Sequence, residues 1–438
     1  MSVTLRSTIL NPKTLGSIDS TESKYPHRKT KLNSLDIIWT ILFSMALTDV
    51  VISYLGKSLH LPLLTHPWQL IIVPFTVVIF FSLQDVLKIK IWILGCFFGL
   101  IISLLIGYFT IHNPAAIMMN NKVAFKILPT DLITMTTAFL IGSIWILRTN
   151  ISSKLITDLF LALSAFHALI CLLALLKISP SIFPLIDAVY YNNGVPVSRP
   201  EITTDQTRQA LYLLVSLCVV FTQKSLSRNI ISLAILLITI FIITKVQSRM
   251  STIVVSLFTI IAYLMAIRFK VISMKMLFAG LSLVVLVILW KIGAIINFLA
   301  NLIWRFQQVD DSYGGRAGSV MYLFEKLAEP SYWIPTGYNE FFQQHGAAPH
   351  SFPTMVYLNA GLLGLICYLI LIIVPLSILF KKILKRTATD YERIGFFCGS
   401  FTFLLSLTQP VINHEIFWLM AGLTAGALSR SHLERKQM

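Results

Sequence analysis

Charge is scarce in this sequence. Asp, Glu, Lys and Arg make up only 12% of residues, where a soluble globular domain carries about 25%. Acidic residues are scarcer than basic ones, 19 against 35. So little charge leaves too much apolar surface for a soluble fold. No P-loop and no GxGxxG occurs, which argues against ATP coupling and a cytosolic nucleotide-sugar donor. Cysteine is also sparse. Cys96, Cys171, Cys218, Cys367 and Cys398 all lie in apolar stretches and form no CxxC pair, so they read as buried apolar residues rather than disulfides or metal ligands. Residues 1–34 are polar and basic and lack the short apolar core of a cleavable signal peptide. The first apolar run is long enough to stay as an anchor.

What is abundant is apolar sequence, 56% of the chain with a mean hydropathy of +0.78. About 20 apolar residues cross a bilayer as a helix. Runs of that kind fall at 35–55, 68–84, 91–110, 130–147, 155–176, 209–223, 229–244, 250–267, 274–291, 352–380, 394–409 and 413–429. The expected fold is an all-α polytopic membrane protein of about 12 transmembrane helices, with a large, partly helical periplasmic loop between helices nine and ten. With the N-terminus in the cytoplasm, 23 of the 35 Lys and Arg fall on the cytoplasmic side, in short basic segments. That is the positive-inside bias, and it places both termini inside. The net charge of +16 is thus spread over many short loops, a pattern that suits membrane lipids and not nucleic acid. The chain divides into a cytoplasmic basic tail (1–34), helices one to nine (35–291), a periplasmic loop (292–351), helices ten to twelve (352–429) and a second cytoplasmic tail (430–438). The extra mass lies outside, so chemistry is expected at the outer face.

Several cations sit on that costly side. Arg249, in TKVQSRMSTIVV, lies where two apolar runs nearly meet. A cation so close to hydrocarbon faces a partner or a cavity, or snorkels to headgroups. Arg316 follows a glycine pair and opens a helical pattern over residues 317–327, with Val320, Leu323, Phe324 and Leu327 on one face and Pro330 ending it. A cation at a helix start opposes the dipole, which points to an external anion. The plainer alternative is an ion pair with Asp310 or Asp311. Arg199 and Arg208 precede the sixth run, where Glu201 and Asp205 offer pairing. His350 stands at the mouth of the tenth run, where a neutral imidazole can accept a proton; His345 and His414 compete with it. The aromatics of the large loop suit sugar stacking or an interfacial belt, and the belt accounts for most of them.

HSFPTMVYLNAGLLG, with His350, Gly361 and Gly364, resembles the signature of the O-antigen ligase and polymerase superfamily. Ser248-Arg249, Arg316 and the stretch VSRPEITTDQTRQALYLL resemble that family's further arginine positions over roughly residues 190–430. The resemblance implies an undecaprenyl diphosphate-linked glycan as donor and a lipid A–core sugar hydroxyl as acceptor. It also implies His350 as base and Arg249, Arg316 and Arg199 on the donor diphosphate, with Arg208 and His414 as secondary candidates. The reaction would invert the anomeric centre and need no metal or other cofactor. The first outer loop, 56–67, lacks the Asp and Glu that metal-dependent lipid-linked glycosyltransferases need there. One dominant outer loop favours a ligase over a polymerase or a protein O-oligosaccharyltransferase. A twelve-helix transporter is the alternative of another class. Major-facilitator chains typically place a long loop between spans six and seven, and here that connection is only a few residues.

Overall fold

The computed structural model describes residues 32–65, 67–110, 118–119, 122–123, 129–148, 150–178, 186–192, 195–201, 316–337, 351–408 and 415–436, with single positions at 231, 235, 238, 341 and 349. The helices are α1 Ser34–Leu47, α2 Asp49–Ser58, α3 Pro62–Thr65, α4 Pro67–Phe80, α5 Leu83–Val86, α6 Ile91–Thr110, α7 Pro129–Leu147, α8 Ser153–Leu175, α9 Arg316–Leu327, α10 Phe352–Leu384, α11 Asp390–Thr408 and α12 Glu415–Lys436. Two antiparallel hairpins, absent from the helical expectation, join them: β1 Met118–Met119 with β2 Lys122–Val123, and β3 Ile186–Asn192 with β4 Val195–Glu201. The second has a local cause. Val and Tyr favour strands, and Asn-Gly between two such runs is a two-residue hairpin signal.

Among the described residues, four helical segments are long and apolar enough to cross a membrane: Ile91–Thr110, Thr130–Leu147, Ser153–Leu175 and Phe352–Leu384. A fifth is gained if Ser34–Leu47 and Val51–Ser58, bent by 69°, form one span. Of the twelve expected runs, those at 209–223, 229–244, 250–267 and 274–291 lie outside the described residues apart from isolated positions. The run at 35–55 breaks because it carries Asp49. This carboxylate is buried, opens α2, and accepts the indole N–H of Trp68 at 3.0 Å. A helix start favours an anion there. The run at 68–84 gives only α4, whose 14 residues span roughly 21 Å, short of the ~30 Å of hydrocarbon. α11 and α12 form where the last two runs were expected but are less apolar. The reason is plain for α12, where every residue of 416–431 is buried. A helix wrapped in protein can carry Thr424, Ser429 and Arg430, because its neighbours rather than lipid meet them.

α12 packs tightly on α7. Gly422 and Gly426 lie one turn apart on α12, facing Gly142 on α7. A Cβ at Gly142 would strike the Leu419 carbonyl, and one at Gly422 the Phe139 carbonyl. Small residues four apart let two backbones touch, which suits helix association where lipid supplies no hydrophobic drive. Stacked rings extend this core: Phe43 on Trp145 at 3.8 Å and Phe97 on Phe139 at 4.0 Å.

One end of the bundle is polar and stapled. Arg148, just past α7, binds Asp36 of α1 and Asp85 of α5, the latter at 2.9 Å. Arg430 of α12 reaches the carbonyls of Ile146, Arg148 and Ile151 at 2.8, 3.0 and 3.1 Å and lies 3.6 Å from the centre of the Tyr391 ring. Lys382 near the end of α10 binds Glu392 and Ser431. The starts of α1 and α11 and the ends of α7, α10 and α12 therefore meet at one face. Arg148, Lys382 and Arg430 belong to segments that the positive-inside count assigns to a common side.

Candidate functional site

The opposite end is built on α9 and the first turns of α10. Ser351 caps α10 by accepting the Thr354 N–H, with Pro353 in the first turn where its missing donor costs nothing. The Ser351 and Thr354 hydroxyls lie 2.5 Å apart, and Thr354 Oγ1 donates to the Ser319 carbonyl of α9 at 2.7 Å. All three residues are buried. Farther along, Tyr357 Oη donates to the Lys326 carbonyl at 3.0 Å. Two side chains of α10 thus hold α9 by its backbone. Lys326 lies 4.2 Å from the Tyr332 ring centre and pairs with Glu329 at 3.2 Å.

α10 is broken inside. Gly361 has φ 65° and ψ −168°, a conformation open essentially to glycine alone. In an unbroken helix the Leu362 N–H would donate to the Leu358 carbonyl. Here Leu362 donates instead to the Trp333 carbonyl at 2.9 Å, and the Leu358 carbonyl accepts from Thr336 and Gly337 at 3.0 and 2.8 Å. The segment after α9 is inserted into the gap and satisfies both freed groups. A Cβ on Gly361 would stand 2.5 Å from the Trp333 carbonyl oxygen. Irregular backbone at membrane depth persists only where protein or a water-filled cavity meets it, and the 333–337 segment provides the protein.

Arg316 is the first residue of α9, three residues before the carbonyl that Thr354 binds. Arg199 lies in β4 opposite Ala188. Arg249, Arg208, His350 and His414 lie outside the described residues, as does His345, although Ser351, which follows His350 in the chain, is the cap of α10. The structure therefore brings together the head of α9 and the head of α10. The helix at residues 317–327 forms as expected, but its covered face differs. Ser319, Tyr322 and Leu323 are buried, whereas Phe324 is exposed. The contacts to α10, made through the carbonyls of Ser319 and Lys326, set this rotation, and periodicity alone cannot tell which neighbour a helix meets. Ser351, Thr354 and Tyr357 were missed as site-building residues. Ser351 with Pro353 is a helix-start signal, and Asn359 and Gly361 interrupting an apolar run mark the break. Among the described residues no cluster of His, Cys, Asp or Glu could hold a metal ion. Compared with known proteins, the chain matches no protein-family model and no curated sequence.

Proposed function

We propose that this protein is an O-antigen ligase of the bacterial inner membrane. In this reading twelve helices carry both termini on the cytoplasmic side, and the α9–α10 end faces the periplasm. There the enzyme transfers a glycan from undecaprenyl diphosphate to a sugar hydroxyl of lipid A–core. The observation that carries the proposal is the clamp between the heads of α9 and α10. It joins the helix opened by Arg316 to the cap that directly follows His350. The acceptor oxygen attacks the anomeric carbon, its proton passes to the neutral His350 imidazole, and the bond from that carbon to the diphosphate breaks. The diphosphate leaves as an anion. Guanidinium groups bind phosphate bidentately and stay charged, so Arg316 and Arg249 stabilise it, with Arg199 in support. Fixed charge aimed at a developing anion is commonly the largest catalytic term, and a positioned base adds about 10²–10⁴-fold.

The test is complementation of a strain lacking the gene. The deletion leaves long glycans stranded on the carrier lipid, and His350→Ala or Arg316→Ala fails to restore them to lipopolysaccharide. Full-length glycan on lipopolysaccharide from either variant, at normal expression, removes the role given to that residue. Lipopolysaccharide capped with a single repeat in the deletion strain assigns the protein as a polymerase instead, and substrate flux in proteoliposomes assigns it as a transporter.

A further inference from the structure

α9 has two faces, and only one is covered. Ser319, Tyr322 and Leu323 are buried, and through Ser319 and Lys326 the backbone is held by α10. The other side carries Met321 and Phe324, neighbours on one helical stripe, which are 57% and 68% exposed. The apolar surface continues past the helix, where Trp333 and Ile334 are 50% and 68% exposed. Trp333 is seated: its indole N–H donates to the Leu327 carbonyl at 3.3 Å, which draws the ring to the end of α9. A contiguous exposed patch of large apolar side chains marks a surface with a partner.

The position of this patch identifies the partner. α6 has 20 residues, about 30 Å of helix, which matches the hydrocarbon core of a bilayer. Pro335 packs against Gly107 of α6; its Cβ would be 3.3 Å from a Cβ at that glycine. Gly107 lies three residues before the end of α6, so residues 333–335 stand roughly 5 Å inside the end of that span. That is the boundary between acyl chains and headgroups. Ile106 and Phe109 of α6 and Leu363 and Ile366 of α10 are exposed in the same neighbourhood, so the patch adjoins the outward faces of two membrane-length helices. The polar groups fit this boundary too. Glu325 and Glu329 are exposed beside the stripe, and Lys326 is folded back over Tyr332.

We infer that α9 and the turn after it, Pro330–Tyr332, form an interfacial anchor whose Met321, Phe324, Trp333 and Ile334 enter the acyl-chain region of the leaflet at this end. The occupant is bilayer lipid, bound as an amphipathic helix lying in the membrane plane is bound. Because α9 is clamped to α10 and the 333–337 segment fills the break in α10, the anchor fixes the depth of the whole assembly relative to the lipid surface. None of this depends on which reaction the site performs.

The experiment uses the full chain in vesicles of phosphatidylethanolamine and phosphatidylglycerol. The photoreactive residue p-benzoylphenylalanine, close to phenylalanine in shape, is introduced at Phe324 or at Ile334, and at buried Tyr322 for reference. After irradiation and digestion, peptides carrying positions 324 and 334 gain the mass of one phospholipid, while position 322 gives adducts within the chain. Intramolecular adducts at 324 and 334 mean that another part of the chain covers the face, and they overturn the inference. Adducts to a second copy overturn it as well. So does the absence of any adduct at both positions, the result of a probe facing water.

Discussion

At the scale of single residues, Thr354 does the most joining. Its hydroxyl donates to the Ser319 carbonyl and meets Ser351, with no exposure to solvent. Thr354→Val keeps the shape and removes the hydrogen bond that ties α10 to the Ser319 carbonyl, so it lowers stability by about 0.5–1.5 kcal/mol, read by thermal unfolding in detergent. Thr354→Ser restores it. Equal stability of Thr354→Val and the wild type removes this role. Glu392 offers a pH-dependent counterpart at the other end. Burial pushes its carboxyl up, but the Lys382 ammonium, the Thr389 N–H and the Ser431 hydroxyl together hold it below its ordinary value of 4.5. The unfolded chain therefore binds the proton more tightly. The stabilisation is complete above that ordinary value and is lost as pH falls through the lower folded one. Glu392→Gln should flatten the acid-side decline of the melting temperature; an unchanged slope would remove Glu392 from that decline. Neither residue stands out in the sequence, because a threonine or glutamate near a helix start declares a cap and not the distant helix it also binds.

At the scale of elements, helix starts repeat one device. Asn33 with Asp36 in α1 and Thr389 with Glu392 in α11 exchange backbone and side-chain hydrogen bonds as capping boxes. In each the acid also takes a cation from the far end of another element, Arg148 just past α7 or Lys382 of α10, so one carboxylate caps a helix and places it. Apolar runs located α6, α7, α8 and α10 closely, because lipid-length helices are what such runs form. The breaks were harder to foresee. Hydropathy averaged along a run hides one Asp49 or one Gly361, and what fills the gap in α10 comes from a segment more than twenty residues upstream. Gly361→Ala faces both a conformation closed to alanine and a clash with the Trp333 carbonyl. The predicted result is a loss of about 1–3 kcal/mol, with residues 333–337 becoming susceptible to added protease. Continued protection of that segment would mean that α10 tolerates a side chain at the break.

At the scale of the whole molecule, the clustering of charge is legible, since positive charge in short loops follows a rule that does not depend on packing. Arg148, Lys382 and Arg430, from segments which that rule puts on one side, do meet at one end of the bundle. The centre of the molecule was the least legible, because α12 reads as the weakest of the closing runs yet is the most enclosed. That enclosure bears on how the protein is made. α7 contributes Gly142 and the carbonyls of Ile146 and Arg148, yet its partners on α12 lie some 280 residues later in the chain. During synthesis α7 must wait in the membrane with this groove unfilled until α12 emerges from the ribosome. A chain stopped before residue 415 should insert and then be cleared by membrane proteases, whereas the missing helix supplied as a separate polypeptide should rescue it, with pulse-chase decay as the measure. Quality control of this protein thus becomes a check on whether α12 has been made.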